Sequence, residues 1–517
     1  MTKGISPLIA TVIMVAFIIS LGWIASQFIM GYTEKTKSGI ETGGIVDYSG
    51  ARLEIESDKV SIGQTIKIPV SNVGDKDLDN LRVIVYNESG AFTFTPNPDS
   101  IEIGYTKSLE VDCIPGNITK IEVTSSRTPG KKYEYKITGG IIRKVLISDC
   151  AELNQSGVSY YLTSDITDSS TSNCINITAN DITFDCQGHT IDGDDTADTG
   201  IRIYKASGTT VKNCTLTDWD TRGVYIYHAD ENKIENIWIS SCTDDGFAIA
   251  RSKHNTITNI TTNNNGDYGF YLGYSADLNE ITNSTANSNN RGFYFADDAN
   301  NNTLRNCIAN SNTGYGGFVM GTMGGGSHNN TFINCTANFN DGLSYSAGFF
   351  FWGADIGSDS NIILNSTANS NSYGFEFSDD SDYNIIKNSV AENNTNGGIF
   401  LDSNFGDPEY NKIYNCLFNN SGTYGNVRID SIIPNPNYWN TTKQTGTRIY
   451  SSGNYIGGNY WTNSTDNGYS DTCPDTDNNG FCDQVYDVYN DTWCEPGVNC
   501  SSNVDYLPLS DEWMLPD

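Results

Sequence analysis

The chain has 517 residues, too many for one ordinary domain, and its 62 Asp and Glu against 30 Lys and Arg leave a formal charge of -32. That balance excludes nucleic acid and anionic membrane surfaces as principal partners. With 30 Tyr and 21 Phe the chain is too aromatic for a disordered acidic polymer, and four His leave little room for a multi-histidine metal centre.

Thirteen Cys without a C-x-x-C pair and seventeen N-x-[ST] sequons point to export into a glycosylating environment. From Ile5 to Thr33 no residue is charged, a run long enough to cross a bilayer as a helix. A secretory signal would place its small-residue cleavage site after the apolar core. Here the small residue, Gly4, comes before it. Lys3-Gly4-Ile5-Ser6-Pro7 resembles the class III leader of archaeal type IV pilins. The resemblance stops near Lys35. It implies that residues 1–4 are a leader cut by a prepilin peptidase between Gly4 and Ile5. It further implies that a helix over 5–40 sits in the cell membrane before assembly, then homopolymerises as the core of an extracellular surface filament. A plain membrane anchor is the simpler reading of the same run.

Residues 41–147 change pattern. Segments such as Gln64–Gly74 and Leu81–Gly90 alternate apolar and polar residues between Gly, Asn, Asp and Pro turns, predicting a small β-sandwich. The segment resembles the immunoglobulin-like head of archaeal pilins, and it carries no acid, base and nucleophile cluster.

Residues 148–432 are repetitive. N-x-[ILF]-x-N recurs at Asn232/Asn236, Asn255/Asn259, Asn279/Asn283, Asn302/Asn306, Asn330/Asn334, Asn361/Asn365, Asn384/Asn388 and Asn411/Asn415. A strand-opening glycine recurs at Gly200, Gly223, Gly246, Gly269 and Gly292, and then at wider intervals at Gly317, Gly348, Gly374 and Gly398. A fixed period with short strands and Asn/Gly turns predicts a parallel β-helix of about ten coils. The repeat resembles the NosD-like and pectate-lyase-like right-handed β-helices, a resemblance specific for fold and not for function. The second Asn of each pair is expected to turn inward, which would leave the sequons at Asn213, Asn259, Asn283, Asn334 and Asn365 unmodified. Asn87, Asn117, Asn301, Asn393 and Asn440 remain as candidate glycosylation sites. The next residue in each coil (Cys214, Ile237, Ile260, Ser284, Cys307, Cys335, Ser366, Ser389, Cys416) reads as an inward column, its cysteines expected as buried free thiols.

Two residues after each opening glycine the side chain should face out. That row, with Tyr225, Tyr271, Tyr294 and Phe350, and Trp352 two residues further on, predicts an exposed aromatic stripe suited to stacking on sugar rings. The alternative is that another domain, a neighbouring subunit or the C-terminal segment covers it. The pairs Asp244-Asp245, Asp297-Asp298 and Asp379-Asp380 offer the two carboxylates glycoside hydrolysis needs. They read as turn formers, and the His-Gly and Arg-x-Lys motifs of the resembling galacturonases are absent.

Residues 433–517 are expected to cap the solenoid. Asp475-Thr476-Asp477-Asn478-Asn479-Gly480-Phe481-Cys482-Asp483 follows the first nine positions of a calcium loop, with Asp475, Asp477, Asn479 and Asp483 side chains and the Phe481 carbonyl as ligands for Ca2+. Tyr486 stands where the bidentate Glu would be. Cys473, Cys482, Cys494 and Cys500 form an even local set, read as disulfides 473–482 and 494–500. The stretch also resembles the end of NosD-like repeats, without a His/Met cluster for copper. Together the resemblances imply a mainly β, pilin-like filament subunit whose β-helix head binds glycans or adheres. A membrane-anchored polysaccharide lyase or hydrolase is the other reading.

Overall fold

The computed structural model describes residues 51–511 apart from short stretches, the longest at 113–117 and 495–502. The Gly4–Ile5 junction and the apolar helix over 5–40 lie outside these residues, as do Asn117 and Cys500. No helix among the described residues is long and apolar enough to cross a membrane.

Alternation in Thr65–Asn72 buries Ile66, Ile68 and Val70 and leaves Lys67 out. Thr106–Asp112 pairs with it antiparallel, setting Val111 opposite Ile66 and Leu109 opposite Ile68. A second antiparallel sheet is ordered Gly90–Phe94, Arg82–Asn87, Ile118–Thr124, Tyr133–Ile141. It turns Val83, Val85, Ile121 and Val123 onto the same core. The two sheets therefore share one core, separate from the solenoid that follows.

The solenoid makes about eleven turns. One long sheet stacks thirteen strands in parallel register, from Ala151–Leu153 to Trp493–Cys494. A fourteen-stranded sheet carries the Asn repeats. The 23-residue period places equivalent residues one above another. Inside the long sheet, Phe247, Phe270, Phe293, Phe318, Phe349 and Phe375 form one continuous stack with ring centroids 4.5–5.5 Å apart. That separation is close to the inter-strand spacing of a sheet, so one ring per coil fills the core without gaps. Each buried ring contributes roughly 1.5–3 kcal/mol.

Asparagine ladders run along the same axis. The first Asn of each pair is buried: Asn279 accepts from the backbone N–H of Asn255 at 3.0 Å, and its amide reaches the Ser252 carbonyl at 3.1 Å. A second buried ladder, from Asn265 through Asn289, Asn312 and Asn340, satisfies another corner. Sequence reasoning missed that ladder.

The second Asn of each pair does not turn inward. Asn236, Asn259, Asn283, Asn334 and Asn365 are exposed, and each sits in the left-handed region, φ 50–56°. One left-handed residue breaks strand alternation. In Lys233–Ser240 it lets Glu235 and Asn236 both face outward while Ile234 and Ile237 both face in. The amides form an outer ladder, Asn259 donating to Asn236 at 3.1 Å and Asn388 to Asn365 at 3.0 Å. Burial is thus not what restrains the sequons at Asn213, Asn259, Asn283, Asn334 and Asn365.

The inward column is as read: Cys307, Cys335, Ser366, Ser389 and Cys416 are buried, and Cys307, Cys335 and Cys416 are free thiols. Cys214 is an exception. It bonds to Cys186 of the preceding coil, and Cys150 bonds to Cys174, with Cα separations of 4.9 and 4.5 Å. In each bridge one cysteine lies just outside its strand, where the chain leaves the register that holds Cys307 and Cys335 side by side. At the far end Trp439, Trp461 and Tyr486 close the core, Trp461 stacking on Phe418 at 4.8 Å.

Candidate functional site

The outer face of the long sheet is where strand alternation places the aromatic row. Its register is as expected: Arg202, Tyr225, Ala248, Tyr271 and Tyr294 stand on successive strands. Its exposure is not. Tyr294 and Phe350 are 6% exposed and Phe400 is 1% exposed, and with Val319 and Tyr373 they form a second apolar cluster outside the barrel. Tyr225, Tyr271 and Trp352 are only partly buried. The reading of a stripe open along its whole length is therefore corrected. Arg291 lies over the Tyr294 ring, and Tyr315 and Trp352 stack on Phe350.

The partly buried stretch of the face borders the strand Asp245–Ala250, whose own residues are all buried. Its neighbours carry Tyr225 and Tyr271 at the position where this strand has Ala248, and both tyrosines, with Ala250, line a cavity of about 200 Å3. Tyr268, Tyr271 and Tyr274 wall it; Tyr268 stacks on Tyr271 at 5.8 Å and Tyr274 meets Tyr271 edge-on at 6.4 Å. At one end stand Arg222, Asp244, Asp245 and Asp267.

Asp245 does not act as a turn former. It opens its strand opposite Arg222, whose Nε donates to Oδ2 at 3.0 Å, and it is 4% exposed. Burial pushes its carboxyl up to about 7, overcoming the Arg222 guanidinium, while Asp267 and Asp244 add to the rise. Asp267, half-buried, is raised mainly by desolvation and held back by Arg291. Arg291 lies over the rings of Tyr268 and Tyr294, at 5.2 and 4.4 Å from their centroids. Burial also raises the phenols of Tyr268 and Tyr271, so both remain hydroxyl donors. The pocket thus offers flat aromatic walls, neutral donors and a carboxylic acid that stays protonated up to about neutrality.

A second polar group lies further along the face, under the apolar cover. Glu376 is 1% exposed, and burial, aided by Asp402, raises its carboxyl well above the ordinary range. Arg428 bonds Asp430 and the Tyr373 hydroxyl beside it. The remaining acid pairs are as read: Asp297, Asp298 and Asp379 have φ of 48°, 63° and 56°, in turns.

In the cap, oxygens of Asp475, Asp477 and Asp483 lie within 4.8 Å of one another. Asn479 is turned differently from its predicted ligand role. Its Nδ2 donates to Asp477 at 2.7 Å, and its Oδ1 accepts from the Phe481 N–H at 3.0 Å. Cys473 and Cys482 are bonded as expected; the 494–500 pairing lies outside the described side chains. Asn301 and Asn393 are exposed, and Asn87 and Asn440 are partly so.

Residues 170–337 match the family described as a right handed beta helix region, and residues 296–466 match the periplasmic copper-binding protein (NosD) family. The solenoid is a right-handed β-helix. No curated protein matches the chain. Among solved structures it is similar to the A-module of the Azotobacter vinelandii mannuronan C-5 epimerase AlgE6, at 12% identity over 56% of this chain and 87% of that one, TM-score 0.40. It is also similar to the catalytic domain of a GH87 alpha-1,3-glucanase in complex with nigerose, at 12% identity over 74% and 95% of the two chains, TM-score 0.36. A third is pectate lyase Pel9A, at 15% identity over 60% and 68%, TM-score 0.30. The copper of the second family's description does not fit the donors here. Among the described residues the one group of three or more clustered metal-ligating side chains is the all-carboxylate set in the cap, a hard-cation set. His189 and His328 each face a carboxylate of a neighbouring coil instead, Asp165 and Asp359.

Proposed function

We propose that this is an exported, surface-associated β-helix that binds a polysaccharide across the outer face of its long sheet and cleaves it at the Asp245 pocket. The observation that carries the reading is a sugar-sized cavity between Tyr225 and Tyr271 with a buried carboxyl at its end, raised to about 7. A glycosidic oxygen must receive a proton as the bond breaks, and an acid near the working pH supplies it best. Asp245 acts as the acid. Asp267 is the partner carboxylate, its raised affinity for protons suiting it to activate water. Arg222 orients Asp245, and the tyrosines hold the sugar ring. Seventeen sequons and three disulfides support export.

Incubating the full chain with neutral and acidic polysaccharides and measuring new reducing ends tests the reading. Release that disappears in Asp245→Asn supports it; no release from any substrate removes catalysis. The second reading is a filament subunit whose head only binds glycans, favoured by the Gly4–Ile5 junction before an uncharged run. N-terminal sequencing of the mature chain tests that: a start at Ile5 supports it and a start at Met1 removes it. The cap loop is assigned a calcium ion held by Asp475, Asp477 and Asp483, which would tie the last coil to its cap.

A further inference from the structure

A different groove lies at the C-terminal end of the solenoid, on the side of the Asn-repeat sheet. It encloses about 770 Å3, within the roughly 300–1,000 Å3 of small-molecule sites. Tyr383 and Tyr410 of successive coils stack at 5.1 Å with planes 12° apart, and Tyr438 follows on the next coil. Tyr506 of the cap completes the boundary. Tyr383, Tyr438 and Tyr506 are 56%, 47% and 63% exposed, an unusual concentration of open aromatic surface.

The backbone argues that these rings are not there for folding. Tyr383 and Tyr410 each precede a buried ladder Asn and sit at φ 57° and 56°. Bulky side chains are strained in that region, which Asn tolerates. At the equivalent corner other coils carry Glu231, His254, Leu278, Asn301, Asn329 and Ser360, at φ 57–59°. The corner thus forms with side chains of very different size and polarity, and the fold does not require tyrosine on two consecutive coils. The charge in the groove narrows the ligand. Its one charged lining residue, Lys412, already donates to Thr441 Oγ1 at 3.0 Å, and the chain as a whole carries -32. An acidic polymer meets a single cation here, set within a chain whose overall field repels it.

We infer that this groove is a binding site for a neutral saccharide chain, separate from the Asp245 pocket. Phenol rings stack on the C–H faces of sugar rings while their hydroxyls and the Thr442 hydroxyl meet the sugar hydroxyls. The site anchors a neutral polymer without acting on it, since no carboxylate lines it among the described residues.

The test is calorimetric titration of the full chain with neutral and uronic-acid oligosaccharides of equal length. The expected result is saturable binding of a neutral oligosaccharide, weakened about five-fold or more by Tyr506→Ala and abolished in Tyr438→Ala/Tyr506→Ala, with unchanged melting. Asp245→Asn should leave this binding intact, so failure of the cleavage reading does not touch it. Because Tyr506 is so exposed, Tyr506→Ala alone decides the matter if the double variant does not fold. Unchanged affinity in Tyr506→Ala, or uronic-acid oligosaccharides binding at least as tightly, would overturn the inference. Asn440 lies in the groove wall and heads the sequon Asn440-Thr441-Thr442. Binding seen only after enzymatic removal of an N-glycan from Asn440 would assign the groove to the chain's own glycan, and would overturn it equally.

Discussion

The two faces of the long sheet are built from the same strands and the same period, yet they behave as different materials. On the inner face Phe247, Phe270, Phe293, Phe318, Phe349 and Phe375 repeat almost without variation. On the outer face the matching row runs Arg202, Tyr225, Ala248, Tyr271, Tyr294, Val319, Phe350, Glu376, Phe400 and Arg428. A closed core must be filled to crystal-like density at every coil, so one shape recurs. The outer face meets solvent or covering chain, so its residues are free to differ. The irregularities of that row, an alanine between tyrosines and a glutamate between aromatics, are where the polar chemistry sits.

The largest way to break this comparison is on the outer face. Asp245→Asn should lower cleavage by about 10²–10⁴-fold, as loss of a general acid does, without lowering the melting temperature. A reducing-end assay beside a thermal melt reads both. If cleavage occurs and survives the substitution, the acid lies elsewhere, with Glu376 the next to remove.

On the inner face, Phe293→Ala should cost about 3–5 kcal/mol in denaturant unfolding, because a ring inside a continuous stack leaves a cavity its neighbours cannot fill. Tyr271→Ala, partly buried on the same sheet, should cost about 1 kcal/mol or less while weakening saccharide binding. Similar stability losses for the two would mean that the faces do not differ as argued.

The pH dependence follows from the buried acids. Asp245 and Asp505 are raised from 3.8 to about 7 by burial, Asp505 while accepting the Trp461 Nε1–H at 2.9 Å. The folded chain therefore holds protons that the unfolded chain has released. Their contribution to stability is fully present below about pH 4 and is lost as pH rises through about 7, on the order of a few kcal/mol. Glu122 runs the other way. Although burial alone would raise its carboxyl, Lys120, Tyr86 and Lys132 hold it down to about 2, so its stabilisation is present above 4.5 and fades as pH falls toward 2. Melting temperatures across pH 4–8 should fall with pH, and less steeply in Asp245→Asn. Cleavage should likewise be lost above about pH 7.

The smallest effect concerns the cap. Calcium at ~10⁻⁴–10⁻³ M affinity should protect the segment around Asp475–Asp483 from protease, without changing the digestion of the central coils. Equal digestion with and without chelator would leave the three carboxylates as turn formers, bonded to Asn479, Gly480 and Thr476 N–H groups as they are here.

Much of the architecture was legible in the residue pattern alone. The spacing of Gly200 to Gly292 set the coil length, and the residues after the repeat Asn set the inward column from Cys214 to Cys416. Cys473 and Cys482, nine residues apart, are close enough in sequence to be read as a pair. These are local or strictly periodic features, and a period carries its own geometry. Of the features that were not legible, three show how the chain meeting itself decides them. The outward turn of Asn236 and Asn259 follows from a single left-handed residue that resets the alternation, which periodicity cannot register. The burial of Tyr294 and Phe350 depends on side chains brought against them, Arg291 on the one and Tyr315 and Trp352 on the other. The character of Asp245 came from burial beside Arg222, one coil away; in sequence it is the second half of an Asp-Asp turn, and only stacking of coils withdraws it from water. Sequence thus specified the solenoid through repetition, while the tertiary structure decided which of its repeated positions became a site, because desolvation and cavity volume belong to neighbouring coils together and to no single one.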